Sequence, residues 1–248
     1  MHKKKIKTLC PLCLRGKKSR AQHNSHYDLC RYPQTAYCKP TTMLSTKFGL
    51  IRHSLTLWNE EKRIQGLQNS PLSEIGRRMA VAWGHELCGL HWDRILASDL
   101  GRVLETVELI NQELQLPIHV DSLLREQDWG EWSGLSFPEL FARFSPEVSK
   151  QEAAGWDFRP PNGESRNEVL DRALQALRNA ADRWPGEVIL IVCHEGIIKT
   201  LLYNLLGRKF LPEEPKILRG YQLHLLQVAE NEPILIEINH LELTRKNI

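Results

Sequence analysis

Short apolar runs alternate with amphipathic stretches from Lys47 onward, a pattern that predicts a layered α/β fold. Helices are expected where apolar residues recur at helical spacing, and Ser73 is a suitable N-cap for the first of them. Strands are expected where four to six apolar residues follow one another. The predicted helices are 73–87, 100–114 and 164–183, and the predicted buried strands are 48–51, 94–97 and 188–193.

The remaining segments are shorter or less regular. Short strands are predicted at 118–120 and 123–124, and a final antiparallel pair at 222–228 and 233–238, joined through Asn231. The stretch 135–163 is rich in aromatic residues and proline. We expect one short helix there, Pro138–Arg143, lying as a cap over a site.

Two of the buried strands end on a histidine. The first runs into Arg52-His53, and the second runs through Cys193 into His194. Ligands of open α/β sheets bind at the carboxyl edge, where such residues emerge. Arginine donates paired hydrogen bonds to phosphate, and a neutral imidazole can attack phosphorus. One histidine at a strand end is more often structural, but two favour a phosphoryl-transfer site.

Five blocks in order, between Lys47 and about His240, resemble the histidine phosphatase superfamily, the phosphoglycerate-mutase-like proteins. Each block has a family counterpart, and only their order over most of the chain makes the match specific. They are Arg52-His53 with Trp58-Asn59 and Gln65-Gly66; Leu72 to Gly76; Ser98 to Thr106; Leu124-Arg125-Glu126 with Gly130 and Trp132 to Gly134; and Cys193-His194-Glu195-Gly196.

The resemblance implies a three-layer α/β/α sandwich with a mostly parallel central sheet. It also implies a nucleophile, His53, that forms a phosphohistidine, and a second histidine, His194, that donates to the phosphoryl group. Glu126 would be the general acid, with Asp128 and Glu131 as nearby rivals. The residues implied to bind phosphate are Arg52, Asn59, Arg63 and Arg102. No metal and no other cofactor is implied.

The chain departs from the family pattern at two places. Ser54 and Leu55 stand where Gly and Glu usually follow the first histidine. Glu195 stands where a glycine usually follows the second, so a carboxylate is expected close to the anion site. We expect these changes to affect which substrate binds more than how the reaction proceeds.

The sequence favours a metal-independent phosphomonoester hydrolase acting on a small phosphorylated metabolite. Phosphoglycerate mutases of this type usually carry a longer, more basic insertion than 135–163, so mutase-type transfer is the alternative. A binding module for phosphorylated ligands, without catalysis, is a third possibility. The identity of the ester and the oligomeric state are left open.

Composition divides the chain in two. Residues 1–42 contain ten Lys and Arg residues and one acidic residue. Residues 43–248 contain 23 Lys and Arg residues and 29 acidic residues. We expect 1–42 to be a basic leader and 43–248 the histidine phosphatase domain. The leader is interpreted as a start assigned too early, before Met43, or as a disordered tail. A zinc site, a nucleic-acid arm and a transit peptide are less favoured, although the leader contains Cys10, Cys13, Cys30, Cys38, His23 and His26.

The rest of the composition indicates an ordinary globular domain. The chain has 42% hydrophobic and 25% charged residues, and no apolar run is long enough to span a bilayer. Neither a membrane nor a nucleic acid is expected as a partner. Cys88 and Cys193 are expected to be buried free thiols, which favours a reducing, cytoplasmic location.

Overall fold

A computed structural model describes residues 45–244 and forms one six-stranded sheet in the order β3-β2-β4-β1-β5-β6. Neighbouring strands are parallel from β3 to β1, whereas β5 runs antiparallel to both β1 and β6. This confirms the mostly parallel sheet and the final hairpin. The strands are β1 Thr46–Arg52, β2 Arg94–Ala97, β3 Ile118–Val120, β4 Val188–Cys193, β5 Gln222–Ala229 and β6 Glu232–Glu242.

Helices cover both faces of the sheet because successive strand residues point to opposite faces. Leu50 and Ile191 belong to the core cluster shared with α5 and α6, and the next residues, Ile51 and Val192, belong to the cluster shared with α2 and α3. The three-layer α/β/α sandwich is therefore confirmed. The helices are α1 Leu57–Glu60, α2 Glu74–Leu87, α3 Gly101–Leu114, α4 Phe137–Ala153, α5 Arg166–Arg183 and α6 Glu195–Leu205.

The cap helix is longer than predicted. The sequence predicts Pro138–Arg143, whereas α4 continues to Ala153 across a kink at Phe144. Pro146 suggests a helix end, but the non-helical backbone at Phe144 places this proline in the first turn after the kink, where its missing N–H costs little. A third core cluster packs Leu140 and Val148 of α4 with Ile64 and Trp132, which precede the helix, and with Phe158, which follows it.

Two smaller predictions are wrong. Residues 123–124 form part of a 3₁₀ turn, Ser122–Leu124, because Asp121 caps that turn through the Leu123 amide. Cys88 is a free thiol as expected, but it is exposed, since it follows the last residue of α2 on the outer side. Cys193 is free and buried, as predicted.

The leader 1–42, with its cysteines and histidines, lies outside the described residues, and its interpretation remains a prediction. No helix among residues 45–244 combines the length and apolar character that crossing a bilayer requires.

Candidate active site

The two strand-terminal histidines meet at one sheet edge. In the parallel pairing of β1 with β4, Arg52 is opposite Cys193, so the next residues leave the sheet side by side. The His53 amide donates to the Cys193 carbonyl at 2.9 Å, and the two imidazole centroids are 5.3 Å apart. Both rings are buried. The structure thus brings together the two histidines that the sequence places 141 residues apart.

The hydrogen bonds of His53 define its tautomer. Its Nδ1 lies 2.7 Å from the Ser54 carbonyl oxygen, which can only accept, so Nδ1 carries the proton. Its Nε2 is therefore unprotonated, and its lone pair accepts a long hydrogen bond from Arg102 Nε at 3.3 Å. Burial, followed by the positive charges of Arg52 and Arg102, lowers the pKa of His53 well below its usual value. The imidazole is neutral with Nε2 available as a nucleophile.

Ser54 and the following residue fix this geometry. The Ser54 hydroxyl donates to the Gly76 carbonyl at 2.7 Å, and its amide donates to Thr106 Oγ1 at 3.1 Å. A Cβ on Gly76 would lie 1.9 Å from the Leu55 carbonyl oxygen, so the approach of α2 to this loop needs glycine. The loop that orients His53 is thus anchored to both α2 and α3.

Arg102 joins the two histidines. It lies in the first turn of α3, as predicted, and only 1% of its surface is exposed. Its Nη2 donates to His194 Nδ1 at 3.2 Å and to the Gly66 carbonyl at 2.8 Å. A second carbonyl, that of Gln68, accepts from Nη1 at 2.8 Å. Burial lowers the pKa of Arg102 to about 10, so the guanidinium is still charged at neutral pH.

His194 has a second partner, Ser98, which belongs to one of the family blocks but was given no role from the sequence. Its Nε2 lies 2.9 Å from the Ser98 hydroxyl at the end of β2. Burial, followed by the positive charge of Arg102, lowers the pKa of His194 well below its usual value. Because Arg102 can only donate to Nδ1, the proton of the neutral His194 ring lies on Nε2, which donates to the Ser98 hydroxyl.

Arg52 faces the carboxylate of Glu195. The two side chains form a short ion pair, in which Arg52 Nη1 donates to Glu195 Oε2. The Arg52 Nε is buried and makes no hydrogen bond within residues 45–244. The carboxylate at position 195, where the family usually has glycine, therefore pairs with an arginine that the family resemblance assigns to phosphate binding.

Glu126 approaches the same edge at the start of α6. Its Oε2 accepts from the Gly196 amide at 3.3 Å, and a Cβ on Gly196 would lie 2.2 Å from Oε1, so only glycine allows this approach. Arg172 donates to the carbonyls of residues 123, 125 and 126 and holds the segment in place. Burial raises the pKa of Glu126. Its rivals Asp128 and Glu131 do not line the cavity described below.

Asn59 and Arg63 differ in how far their hydrogen-bond donors are already used. The Asn59 Oδ1 accepts from the Thr56 amide in a capping box, whereas its Nδ2 donates to none of the described residues. The Arg63 guanidinium donates to Glu61, Glu139 and the Gly134 carbonyl at 2.8 to 3.0 Å. Arg63 lies at the wall of the site, but its Nε and Nη1 already have partners.

These residues open into a cavity of about 610 Å³. Every predicted site residue lines it except His194, which is fully buried and bonded to Arg102. Sequence reasoning assigned no role to several other polar side chains in its wall; among them, Arg166, Lys199 and His224 lie in none of the family blocks. Within residues 45–244, no group of three or more His, Cys, Asp or Glu side chains is placed to hold a metal ion.

Comparison with known proteins gives relatives of two kinds. A protein named probable phosphoglycerate mutase GpmB, from Cronobacter sakazakii, is 35% identical over 167 residues, covering 64% of this chain and 74% of the relative. One named uncharacterized phosphatase PhoE, from Bacillus subtilis, is 32% identical over 162 residues, covering 65% and 78%. The solved structure of Bacillus stearothermophilus YhfR matches with a TM-score of 0.72 at 32% identity, over 79% of this chain and 98% of YhfR.

The family model of the histidine phosphatase superfamily, branch 1, matches residues 48–240, which span the whole sheet except the ends of β1 and β6. The match includes both strand-terminal histidines, Arg102 and the Glu126 segment. This chain belongs to the histidine phosphatase superfamily, branch 1.

Proposed function

We propose that the protein hydrolyses phosphomonoesters of small metabolites through a phosphohistidine on His53, without a metal. The observation that carries the proposal is the tautomer of His53, whose Nδ1 proton is held by the Ser54 carbonyl while Nε2 faces a cavity beside Arg102. Such an imidazole is neutral, oriented and adjacent to positive charge, as attack on a phosphoryl group requires.

In the first half-reaction, Nε2 of His53 forms a bond to phosphorus as the bond from phosphorus to the ester oxygen breaks. Glu126 gives its proton to that oxygen, and the alcohol leaves. In the second half-reaction, the Glu126 carboxylate takes a proton from water while the water oxygen bonds to phosphorus. The bond from phosphorus to Nε2 breaks, so inorganic phosphate leaves and His53 is restored.

Positive charge supplies most of the transition-state stabilisation in this scheme. Arg102 and Arg52 are the two guanidinium groups nearest the nucleophile, and both lower the pKa of His53. Phosphate would replace Glu195 as the partner of Arg52 and would accept from its buried Nε. A phosphoryl oxygen that displaced Arg102 from His194 Nδ1 would let that nitrogen carry the proton and donate, with the Ser98 hydroxyl then donating to Nε2. Asn59 Nδ2 is a further donor, whereas Arg63 would contribute mainly by its charge.

Hydrolysis is favoured over mutase-type transfer by the cap. The segment 135–163 carries three Lys and Arg against four Asp and Glu, so it supplies no excess charge to retain a bisphosphorylated intermediate. A mutase remains the second candidate because one of the relatives bears that name. The cytoplasmic location expected from the free thiols belongs to the same proposal.

Substitution of the nucleophile tests this function. We expect His53→Ala to lower phosphate release by at least about a thousandfold, because the covalent route is lost. The measurement is release of inorganic phosphate from a panel of phosphomonoesters in excess EDTA. His85→Ala is the matched control, since His85 is an exposed histidine on α2 and should be dispensable.

The same panel separates the alternatives. Isomerisation of 3-phosphoglycerate with 2,3-bisphosphoglycerate, and no release of phosphate, would make the protein a mutase. Binding of esters without either reaction would make it a binding module. Activity that EDTA abolishes and added metal restores would contradict the metal-independent scheme.

The pH dependence of kcat/KM follows from the two titrating groups. His53 attacks only when neutral, and its lowered pKa places the rising limb at acidic pH. Glu126 acts only when protonated, and its raised pKa shifts the falling limb upward from the usual carboxylate range. We expect a bell-shaped profile with an acidic optimum, and Glu126→Gln should remove the falling limb and lower the rate by about 10²- to 10⁴-fold.

The loss of rate in Glu126→Gln should be smaller for p-nitrophenyl phosphate than for an alkyl phosphate, because nitrophenolate leaves without a proton. Ionisation of the substrate affects both enzymes alike, so their comparison isolates Glu126. A falling limb with the same position and steepness in both enzymes would assign the general acid to another group.

The ion pair of Arg52 with Glu195 predicts an effect on phosphate affinity. Glu195→Gln removes the internal anion, so inorganic phosphate should inhibit at a concentration lower by about two- to fivefold, as expected for a partly exposed pair. Product inhibition at constant ionic strength measures this. Glu147→Gln, an exposed carboxylate on α4, controls for net charge. Unchanged or weaker inhibition in Glu195→Gln would show that Glu195 does not compete for Arg52.

A further inference from the structure

Two cations in the cavity wall have no part in the chemistry proposed above. Arg166 is the first residue of α5, and Lys199 lies in the second turn of α6. Both are partly buried, and neither pairs with a carboxylate within 4.0 Å among residues 45–244. Glu152 acts on Arg166 and Glu195 acts on Lys199 only from beyond ion-pair distance. Partly buried basic side chains without a carboxylate in contact are costly, so an anionic ligand there would offset that cost.

Both cations are held by the same aromatic ring. The Arg166 Cζ lies 4.6 Å from the centroid of Phe210, and the Lys199 Nζ lies 5.1 Å from it. Phe210 also lines the cavity and has a φ of +62°, a conformation that is strained for a bulky residue. Packing against Trp156 and Tyr203, at centroid distances of 4.6 and 4.4 Å, holds it there.

The donors of the two cations are only partly used. Arg166 Nη1 donates to the Gly155 carbonyl at 2.8 Å, while its Nε and Nη2 donate to none of the described residues. The Lys199 ammonium packs on the faces of Tyr203 and Phe210 and makes no hydrogen bond in the described part of the chain. Burial, with Arg166 as the next cause, lowers the pKa of Lys199, so the two charges act on the same space.

The spacing along α6 relates these cations to the phosphoryl site. Glu195 begins the helix and holds Arg52, and Lys199 follows four residues later on the same face. At about 1.5 Å per residue, this is an advance of roughly 6 Å. An acidic group a few bonds from phosphorus spans that distance in a small phosphorylated acid.

We propose that Lys199 and Arg166 form a second anion subsite, which selects phosphomonoesters that carry a further acidic group, a carboxylate or a second phosphate. This inference rests on the proposed function and specifies the substrate class of the same site. In it, Lys199 and Arg166 are specificity residues that bind the part of the substrate that leaves with the alcohol.

A pair of nearly identical substrates tests the subsite. 3-Phosphoglycerate carries a carboxylate where sn-glycerol 3-phosphate carries a hydroxymethyl group, and 1,3-propanediol bisphosphate supplies a second phosphate instead. We expect the wild type to prefer the acidic esters in kcat/KM. Lys199→Met should lower the ratio of 3-phosphoglycerate to glycerol phosphate by about 10- to 100-fold, the value of a charge-assisted hydrogen bond.

Two further variants complete the experiment. Lys199→Arg should restore most of the preference, because it restores the charge. Lys150→Met removes the same charge from an exposed position on α4 and should leave the ratio unchanged. A preference of the wild type for glycerol phosphate, or a ratio that Lys199→Met does not alter, would overturn the subsite. Whether the carboxylate or the bisphosphate ester loses more in Lys199→Met tells which acidic group the subsite takes.

Failure of the proposed function would give a different result. If the wild type released no phosphate from any ester, including p-nitrophenyl phosphate, hydrolysis would be wrong while the subsite could still be measured. Calorimetric titration of the wild type and Lys199→Met with 3-phosphoglycerate and glycerol phosphate would then decide it. A loss of affinity confined to 3-phosphoglycerate would support the subsite, and an equal affinity ratio in both proteins would overturn it.

Discussion

The buried guanidinium of Arg102 is the constraint on which the rest of the site depends. A charge almost wholly removed from water needs full hydrogen bonding, and two carbonyls of the 66–68 loop and both histidines supply it. The same charge helps to keep His53 and His194 neutral. A single buried cation therefore orders the loop, aligns two imidazoles and sets their protonation.

The start of α6 is the second organising feature, and it combines a shared family feature with properties of this chain. Gly196 admits the Glu126 carboxylate, whose pKa is raised by burial. On either side of it along the helix, Glu195 holds Arg52 and Lys199 extends the positive wall of the cavity. The start of α6 thus contacts the proposed acid and the arginine proposed to bind phosphate, and it carries Lys199 of the proposed specificity subsite.

Much of the fold could be predicted because it depends on local patterns. The buried strands are short apolar runs, the α2 cap is Ser73, and parallel neighbours necessarily bring the residues after Arg52 and Cys193 together. The length of α4 was missed because Pro146 follows a kink that only tertiary packing defines. The family resemblance placed the Glu195 carboxylate near the anion site, but its pairing with Arg52, 143 positions away, was not predicted, nor was the bond from Arg63 to Glu139 of the cap. Such contacts have no local sequence signal.

The most direct test of the central claim is to trap the covalent intermediate. The protein is mixed rapidly with a phosphomonoester that it hydrolyses, and the reaction is quenched in base. The protein is then digested, and mass spectrometry identifies the modified residue. The account predicts a base-stable, acid-labile phosphoryl group on His53, formed before steady-state release of phosphate and absent from His53→Ala. A phosphoryl group on His194, or turnover without any phosphorylated enzyme, would contradict it.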